Sequence, residues 1–341
     1  MLQIGLIGLG GIASAHLEGL ALLEAKGLAR CVAGAEPVDE RREERRKAFG
    51  IPKVYASHRD LLADADVEAV GILLPHHLHA GVTVEALDAG KHVLVEKPMA
   101  VTMDECDRMM EAEARNGRRL QIGLTGQYRP AMRTARAFLD TNALGPVIQV
   151  LALVSAKLPY EHRDRYMRTR SMGGGQWLGD GAHMVDWVTH LIGTKAVSVK
   201  AVLGNYMHHM SGDDTATVLI QYANGVAGVV IMVAHSRGPD ETGMVDVHGA
   251  QGRLQLDWVS DAGPHGQVRV GQDGAWRDLE IEPINDFAEQ YRDFATAIAT
   301  NDRPPASSAY GRHIMEVLFA AERSSVTGRE VVLEPLEREP W

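Results

Sequence analysis

Leu2-Gln3-Ile4-Gly5-Leu6-Ile7-Gly8-Leu9-Gly10-Gly11-Ile12-Ala13 opens the chain, an apolar run that passes without a break into a glycine-rich turn. A short, nearly continuous apolar run suits a strand buried on both faces, as in a parallel sheet covered by helices. The turn reads G-x-G-x-x-A, and each small residue in it has a physical task. Gly8 makes the tight turn, Gly10 lets the backbone approach a pyrophosphate, and Ala13 lets the next helix pack closely on the strand. Gly11 and Ile12 then lead into a helix whose unpaired N–H groups and positive dipole end face the phosphates. A glycine turn alone is a weak signal; its place between an N-terminal strand and a helix is what points to a bound dinucleotide.

Outward from this turn the same alternation continues over the first 125 residues. Further apolar runs lie at 29–35, 69–75, 92–97 and 119–125, and the stretch 79–91 reads as a helix closed by Gly90. Strand–helix–strand repetition implies an α/β domain over 1–125, a doubly wound parallel sheet of the Rossmann type. After about residue 145 the pattern changes. Runs at 147–156, 215–223, 226–234 and 252–257 are strands with few helices between them, and Asn224-Gly225 is a hairpin signal. Residues 126–341 are therefore expected to form a C-terminal α+β domain. It should carry a large, mostly antiparallel open sheet, a helix near 181–193, and closing helices at about 285–327 broken at Pro304-Pro305.

Composition excludes several partners. Acidic residues outnumber basic ones by 45 to 35, for a formal net charge of -10, which argues against a phosphate backbone as ligand. No apolar run approaches the roughly 20 residues of a membrane helix, and the opening lacks a basic n-region. The two cysteines, Cys31 and Cys106, have neither metal-ligand spacing nor a disulfide framework, so a cytoplasmic protein with no bound metal is expected.

Two residues at strand ends suggest the chemistry. Glu36 follows the second apolar run, where a carboxylate can accept from both ribose hydroxyls of NAD and repel the 2′-phosphate of NADP. Arg41 and Arg42 follow closely and leave NADP possible. Glu96-Lys97-Pro98 ends the run at 92–97. Ligands of open α/β sheets bind beyond the carboxyl ends of the strands, which aims Lys97 into the cleft where a nicotinamide would lie. A lysine there can hydrogen-bond a substrate hydroxyl and stabilise a developing alkoxide.

These motifs, together with Pro75-His76-His77-Leu78-His79-Ala80, Ala143-Leu144-Gly145, Gly173-Gly174-Gly175 and Thr327-Gly328-Arg329, closely resemble the glucose–fructose oxidoreductase, inositol dehydrogenase and rhizopine-catabolism (Gfo/Idh/MocA) family over nearly the whole chain. The resemblance implies an NAD(P)-dependent dehydrogenase acting on a secondary hydroxyl of a sugar, polyol or related cyclic alcohol, in either direction. It adds Pro75, His76, His79, Glu96 and Lys97 to the cofactor-binding set, with His76 standing where the family often has asparagine. In the family the glycine run leads to a helix start with an aspartate and, four residues later, a proton-accepting histidine. His183 matches that histidine, and its ordinary pKa near 6.5 suits general base work. The aspartate position is Gly179, and Asp180 stands one place later, a shift that turns a helical side chain by about 100°. Asp180 is either a catalytic contributor or a simple N-cap. Near the substrate, Thr125-Gly126-Gln127 replace the asparagine and arginine residues of the family, while Tyr128 and Arg129 keep an aromatic and a basic group. The arginine-rich segment 163–170 reads as a carboxylate clamp or as a solvated or interface loop. A small-molecule substrate and a homodimer or homotetramer are implied by the same resemblance, which assigns substrate binding and oligomerisation to residues 126–341. Two rivals stay open: a glycosidase that uses retained NAD for oxidation and elimination, and a non-catalytic NAD(H)-binding regulator.

Overall fold

Residues 1–158, 160–235, 242–257 and 266–333 are described in a computed structural model of the protein. The chain divides into two units. The first comprises Met1–Thr125 and Asn285–Arg312. Its strands are β1 (Leu2–Ile7), β2 (Ala29–Ala35), β3 (Lys53–Tyr55), β4 (Ala69–Ile72), β5 (His92–Glu96) and β6 (Leu120–Gly123). They form one sheet in the order β3-β2-β1-β4-β5-β6, every pair parallel, so the order reverses beside β1. That is the doubly wound arrangement, and it places the ends of β1, β2, β4 and β5 where such sheets bind ligands. The expected helix at 79–91 spans His79–Asp88, and Gly90 follows it with φ +77°.

The glycine turn is set by sterics. Gly8 has φ +92°, and a Cβ placed on it would lie 2.5 Å from the Leu73 carbonyl oxygen. Gly8→Ala therefore combines left-handed strain, about 1–2 kcal/mol, with overpacking of about 1–3 kcal/mol. The variant is expected to lose about 2–5 kcal/mol of unfolding free energy by denaturant titration; an unchanged midpoint would sink this account.

One segment departs from expectation. Residues 285–312 were placed by sequence with the second domain, yet Asn285–Arg312 belongs to the first unit. The helix Asp286–Thr300, capped by the Asn285 side chain on the Ala288 amide (2.8 Å), lies against the helix Ala13–Glu24. Gly19 makes the close approach: a Cβ there would be 2.8 Å from the Ala288 nitrogen. Tyr291 and Phe294 then share one buried cluster with Leu6, Leu20, Leu23 and Leu94. An apolar helical face shows in sequence, but the sheet it will cover does not.

The second unit comprises the described residues of 126–284 and 313–333. Its strands are β7 (Val147–Lys157), β8 (Ala196–Gly204), β9 (Thr215–Tyr222), β10 (Ala227–His235), β11 (Thr242–Gly249), β12 (Gly252–Asp257), β13 (Gln267–Gln272), β14 (Ala275–Asp278) and β15 (Val331–Val332). They form a nine-stranded sheet in the order β14-β13-β12-β11-β7-β10-β9-β8-β15, antiparallel except where β7 meets β10. Residues of β9 alternate between exposed and buried, as a sheet with one packed face requires. The expected hairpin joins β9 to β10, with Gly225 at φ +86°. On the packed face lies the helix Gly181–Ile192, and Gly228 of β10 brings the sheet close, since a Cβ there would be 2.6 Å from Val188 Cγ1. Among the described residues no helix is long and apolar enough to cross a membrane.

Candidate active site

The first unit carries the features of a dinucleotide cradle. Beyond β1, the Gly8 amide donates to the Ala35 carbonyl (2.9 Å) and the Leu9 amide to Glu36 Oε2 (3.2 Å), which binds the turn to the end of β2. Glu36 is buried, and its Oε1 accepts from the Val38 amide at 3.1 Å. Above the turn there is room: a Cβ on Gly10 or Gly11 would meet nothing within 4 Å. The helix that follows, Ala13–Glu24, has Ile12 at its N-cap, whose apolar side chain makes no capping bond to the first amides. Buried Ala13 packs beneath them. Open space, uncapped amides and a carboxylate at the end of β2 together fit a pyrophosphate and a ribose.

The two arginines that left NADP possible are both turned onto acceptors. Arg42 donates to the Glu36 carbonyl (2.8 Å) and to Asp39 Oδ1 (2.5 Å). Arg41 lies 3.5 Å from Glu36 Oε1. Arg41 thus faces the Glu36 carboxylate, while Arg42 is held by the Glu36 backbone carbonyl and by Asp39.

At the end of β5 the Lys97 amide donates to the side chain of Glu96 (Oε2, 3.3 Å). Glu96 Oε1 is 3.2 Å from Nε2 of fully buried His16, whose Nδ1 is 2.9 Å from the Tyr291 hydroxyl. A polar chain thus runs from the helix Asp286–Thr300 through His16 to the turn that carries Lys97. Sequence reasoning missed His16 and Tyr291. The available signal was a histidine three residues after Ala13, on the fingerprint helix itself.

His79 needs a correction as a cofactor contact. Its ring is fully buried, with Nδ1 2.8 Å from the Pro98 carbonyl and Nε2 2.7 Å from the Leu74 carbonyl. Neither nitrogen is left to meet a cofactor, and burial holds its pKa below the ordinary histidine value against the pull of the two carbonyls. His79 instead ties the turn at Pro98 to the end of β4. Pro75 and His76 follow β4 after Leu73 and Leu74, and His76 packs edge-on to His79 with ring centroids 5.7 Å apart.

In the second unit the glycine run turns the chain into two short helices, Gln176–Gly179 and Gly181–Ile192. Gly174 is obligatory here, because a Cβ would lie 2.4 Å from the Tyr166 carbonyl. Asp180 occupies the N-cap of the second helix but makes no side-chain capping bond. His183 lies in the first turn, its ring stacked at 19° on Trp187 with centroids 6.1 Å apart. The Arg129 guanidinium sits 5.3 Å from the centroid of the Trp187 ring. Gly126 explains one departure from the family pattern: a Cβ there would be 1.9 Å from Trp187 Nε1. Gln127 explains another, since its Nε2 donates to buried Asp186 at 3.3 Å.

Asp180, His183 and Arg129 line one cavity of about 250 Å³, together with Tyr160, Arg163 and Gln176. Tyr128 is buried and does not line it. The arginine-rich segment splits in role. Arg163 faces the cavity, whereas Arg170 donates to Glu322 Oε2 (2.6 Å) and covers the Phe319 ring. Tyr160 and Gln176 went unmarked in the sequence, because neither belongs to a spacing with a mechanism attached.

Residues 2–124 match the model of an oxidoreductase family with an NAD-binding Rossmann fold, and residues 132–255 match the GFO/IDH/MocA C-terminal domain. The chain is 25% identical to myo-inositol 2-dehydrogenase of Thermotoga maritima, across 98% of this chain and 99% of that protein. It is 31% identical to 1-carboxy-3-chloro-3,4-dihydroxycyclohexa-1,5-diene dehydrogenase of Comamonas testosteroni, across 63% of this chain and 57% of that protein. A levoglucosan dehydrogenase solved in complex with NADH has the same fold, with TM-score 0.90 and 23% identity over 98% of this chain and 100% of that one.

Proposed function

The chain belongs to the GFO/IDH/MocA family of NAD-binding oxidoreductases, and from that premise we propose that it is a dehydrogenase oxidising a secondary hydroxyl of a sugar, polyol or related cyclic alcohol to a ketone. The observation that carries this reading is the cavity in which His183 and Asp180 stand together beside the glycine run. When bound, NAD supplies the two-electron acceptor, so the alcohol gives up a hydride and a proton and leaves as a ketone. The glycine turn from Gly8 to Ala13 holds the pyrophosphate, and Glu36 accepts from the ribose hydroxyls. Lys97 donates to the reacting oxygen and stabilises its negative charge. His183 accepts the hydroxyl proton, and in the reverse direction returns it. Asp180 assists from the N-cap. Relatives named for inositol and for a carboxylated dihydroxy ring support an alcohol of this general kind.

The test is NADH formation at 340 nm with polyols, aldoses, sugar acids and cyclic diols. Silence across the panel with NAD still bound would favour the retained-cofactor glycosidase or the regulator. The homodimer or homotetramer belongs to the same proposal; Val202 and Leu219 leave apolar surface exposed on β8 and β9 for a second copy.

Cofactor preference is part of the reading. Glu36→Ser removes the carboxylate that would repel a 2′-phosphate and releases Arg41. The ratio of kcat/KM for NADP over NAD is expected to rise about tenfold or more. An unchanged ratio would mean that Glu36 serves only to bind the Leu9 and Val38 amides.

A further inference from the structure

The cavity beside His183 holds a group that the fold leaves unsatisfied. Gln176 is 1% exposed and lines the cavity, and among the described residues neither its Oε1 nor its Nε2 has a hydrogen-bond partner. Buried carboxamides are seldom left so, which points to a ligand as the missing partner. Oε1 accepts and Nε2 donates, so completing both requires a donor and an acceptor side by side. A vicinal diol offers that pair: one hydroxyl donates to Oε1 and its neighbour accepts from Nε2. A carboxylate only accepts, and would leave Oε1 unmet.

The charge lining the cavity asks for something more. Arg129 and Arg163 both line it, and among the described lining residues Asp180 is the one carboxylate that faces them. Each guanidinium presents a planar fork matched to a carboxylate. Much of the remaining wall is apolar, built from Val154, Met167, Met184, Trp187 and Met232. A ring carrying hydroxyls on every carbon would press several of them unpaired against that wall. The volume of about 250 Å³ is below the roughly 300–1,000 Å³ of drug-sized sites, which suits a single ring.

We infer that this cavity takes a carboxylated monocyclic vicinal diol, with its carboxylate on Arg129 and Arg163 and its two hydroxyls on Gln176. The inference names a substrate class for the alcohol oxidation proposed above; it rests on that reading for turnover but not for binding.

Calorimetry on the NADH-loaded protein tests the binding. The probes are cis-3,4-dihydroxycyclohexane-1-carboxylate, the uncharged cis-cyclohexane-1,2-diol, cis-3-hydroxycyclohexane-1-carboxylate and myo-inositol. The dihydroxy acid should bind about 10–100-fold tighter than the uncharged diol, the range expected for a hydrogen-bonded charge. Arg163→Met, a change at an exposed side chain, should collapse that ratio toward one, with Arg163→Lys intermediate. Gln176→Leu should weaken the dihydroxy acid about tenfold relative to the monohydroxy acid, with its melting temperature checked alongside. Equal affinity for the acid and the uncharged diol, or a ratio indifferent to Arg163→Met, overturns the inference. So does tighter binding of myo-inositol. The same probes are then followed at 340 nm. Preference for the acid without turnover supports the site and sinks the dehydrogenase reading, and turnover without preference does the reverse.

Discussion

Lys97→Met is expected to lower kcat by about 10²–10⁴-fold while leaving the dissociation constant for NAD within a few-fold of wild type. The position is built to hold an ammonium at a strand end. β5 stops at Glu96, and the Lys97 amide is held by the Glu96 side chain at 3.3 Å. Glu96 is itself fixed by buried His16, and a Cβ on Gly123 of the neighbouring β6 would be 2.7 Å from Glu96 Oε1. Methionine keeps the length and packing of the side chain and removes only the charge and the donors. Lys97→Arg should rescue little, because a planar fork does not replace a compact point charge at one oxygen. Single-turnover measurements separate the chemical step from binding, and NAD affinity is read by quenching of tryptophan fluorescence. Full turnover in Lys97→Met would remove Lys97 from the mechanism. A large loss of NAD affinity would make it a cofactor ligand instead.

The parts of the molecule legible in sequence are those where one local demand dominates. Gly8 must reach φ +92° and Gly225 φ +86°, and glycine at such positions reads directly as a turn. Strands buried on both faces, such as β4 and β5, appear as unbroken apolar runs. β3 is only three residues long, and the four residues of β14 are all exposed, so neither leaves such a trace. What stays hidden are pairings over long sequence separation. Tyr291 reaches His16 across 275 positions, and Trp187 demands a glycine at 126. The segment Thr125-Gly126-Gln127 read only as a loss of expected polar residues. In the structure it provides space for Trp187 and a donor for Asp186. His79 shows the opposite error: a histidine beside a strand end looks functional, and only burial with two carbonyl partners shows what it holds.

His183→Asn should lower kcat by about 10²–10⁴-fold and flatten the acid limb of the pH–rate profile for oxidation, since no group remains there to take the proton. Asparagine is close in size and cannot act as a base near neutral pH, so the packing on Trp187 is disturbed little. That packing places the ring: Trp187 lies one turn further along the same helix, with Arg129 over its face. A limb that persists in the variant would assign the titration to another group and leave His183 a structural role. Asp180 can be separated from it by a second substitution. Asparagine and aspartate serve almost equally at an N-cap, and the Asp180 side chain makes no capping bond in any case. Asp180→Asn keeps the size and the capping ability of the side chain, and its melting temperature is measured alongside kcat. A fall in kcat of about tenfold or more in that variant would come from the lost charge beside His183, and would make the displaced aspartate part of the chemistry. Unchanged kcat would show that the shift from position 179 to 180 took the carboxylate out of the reaction, leaving proton transfer to His183 alone.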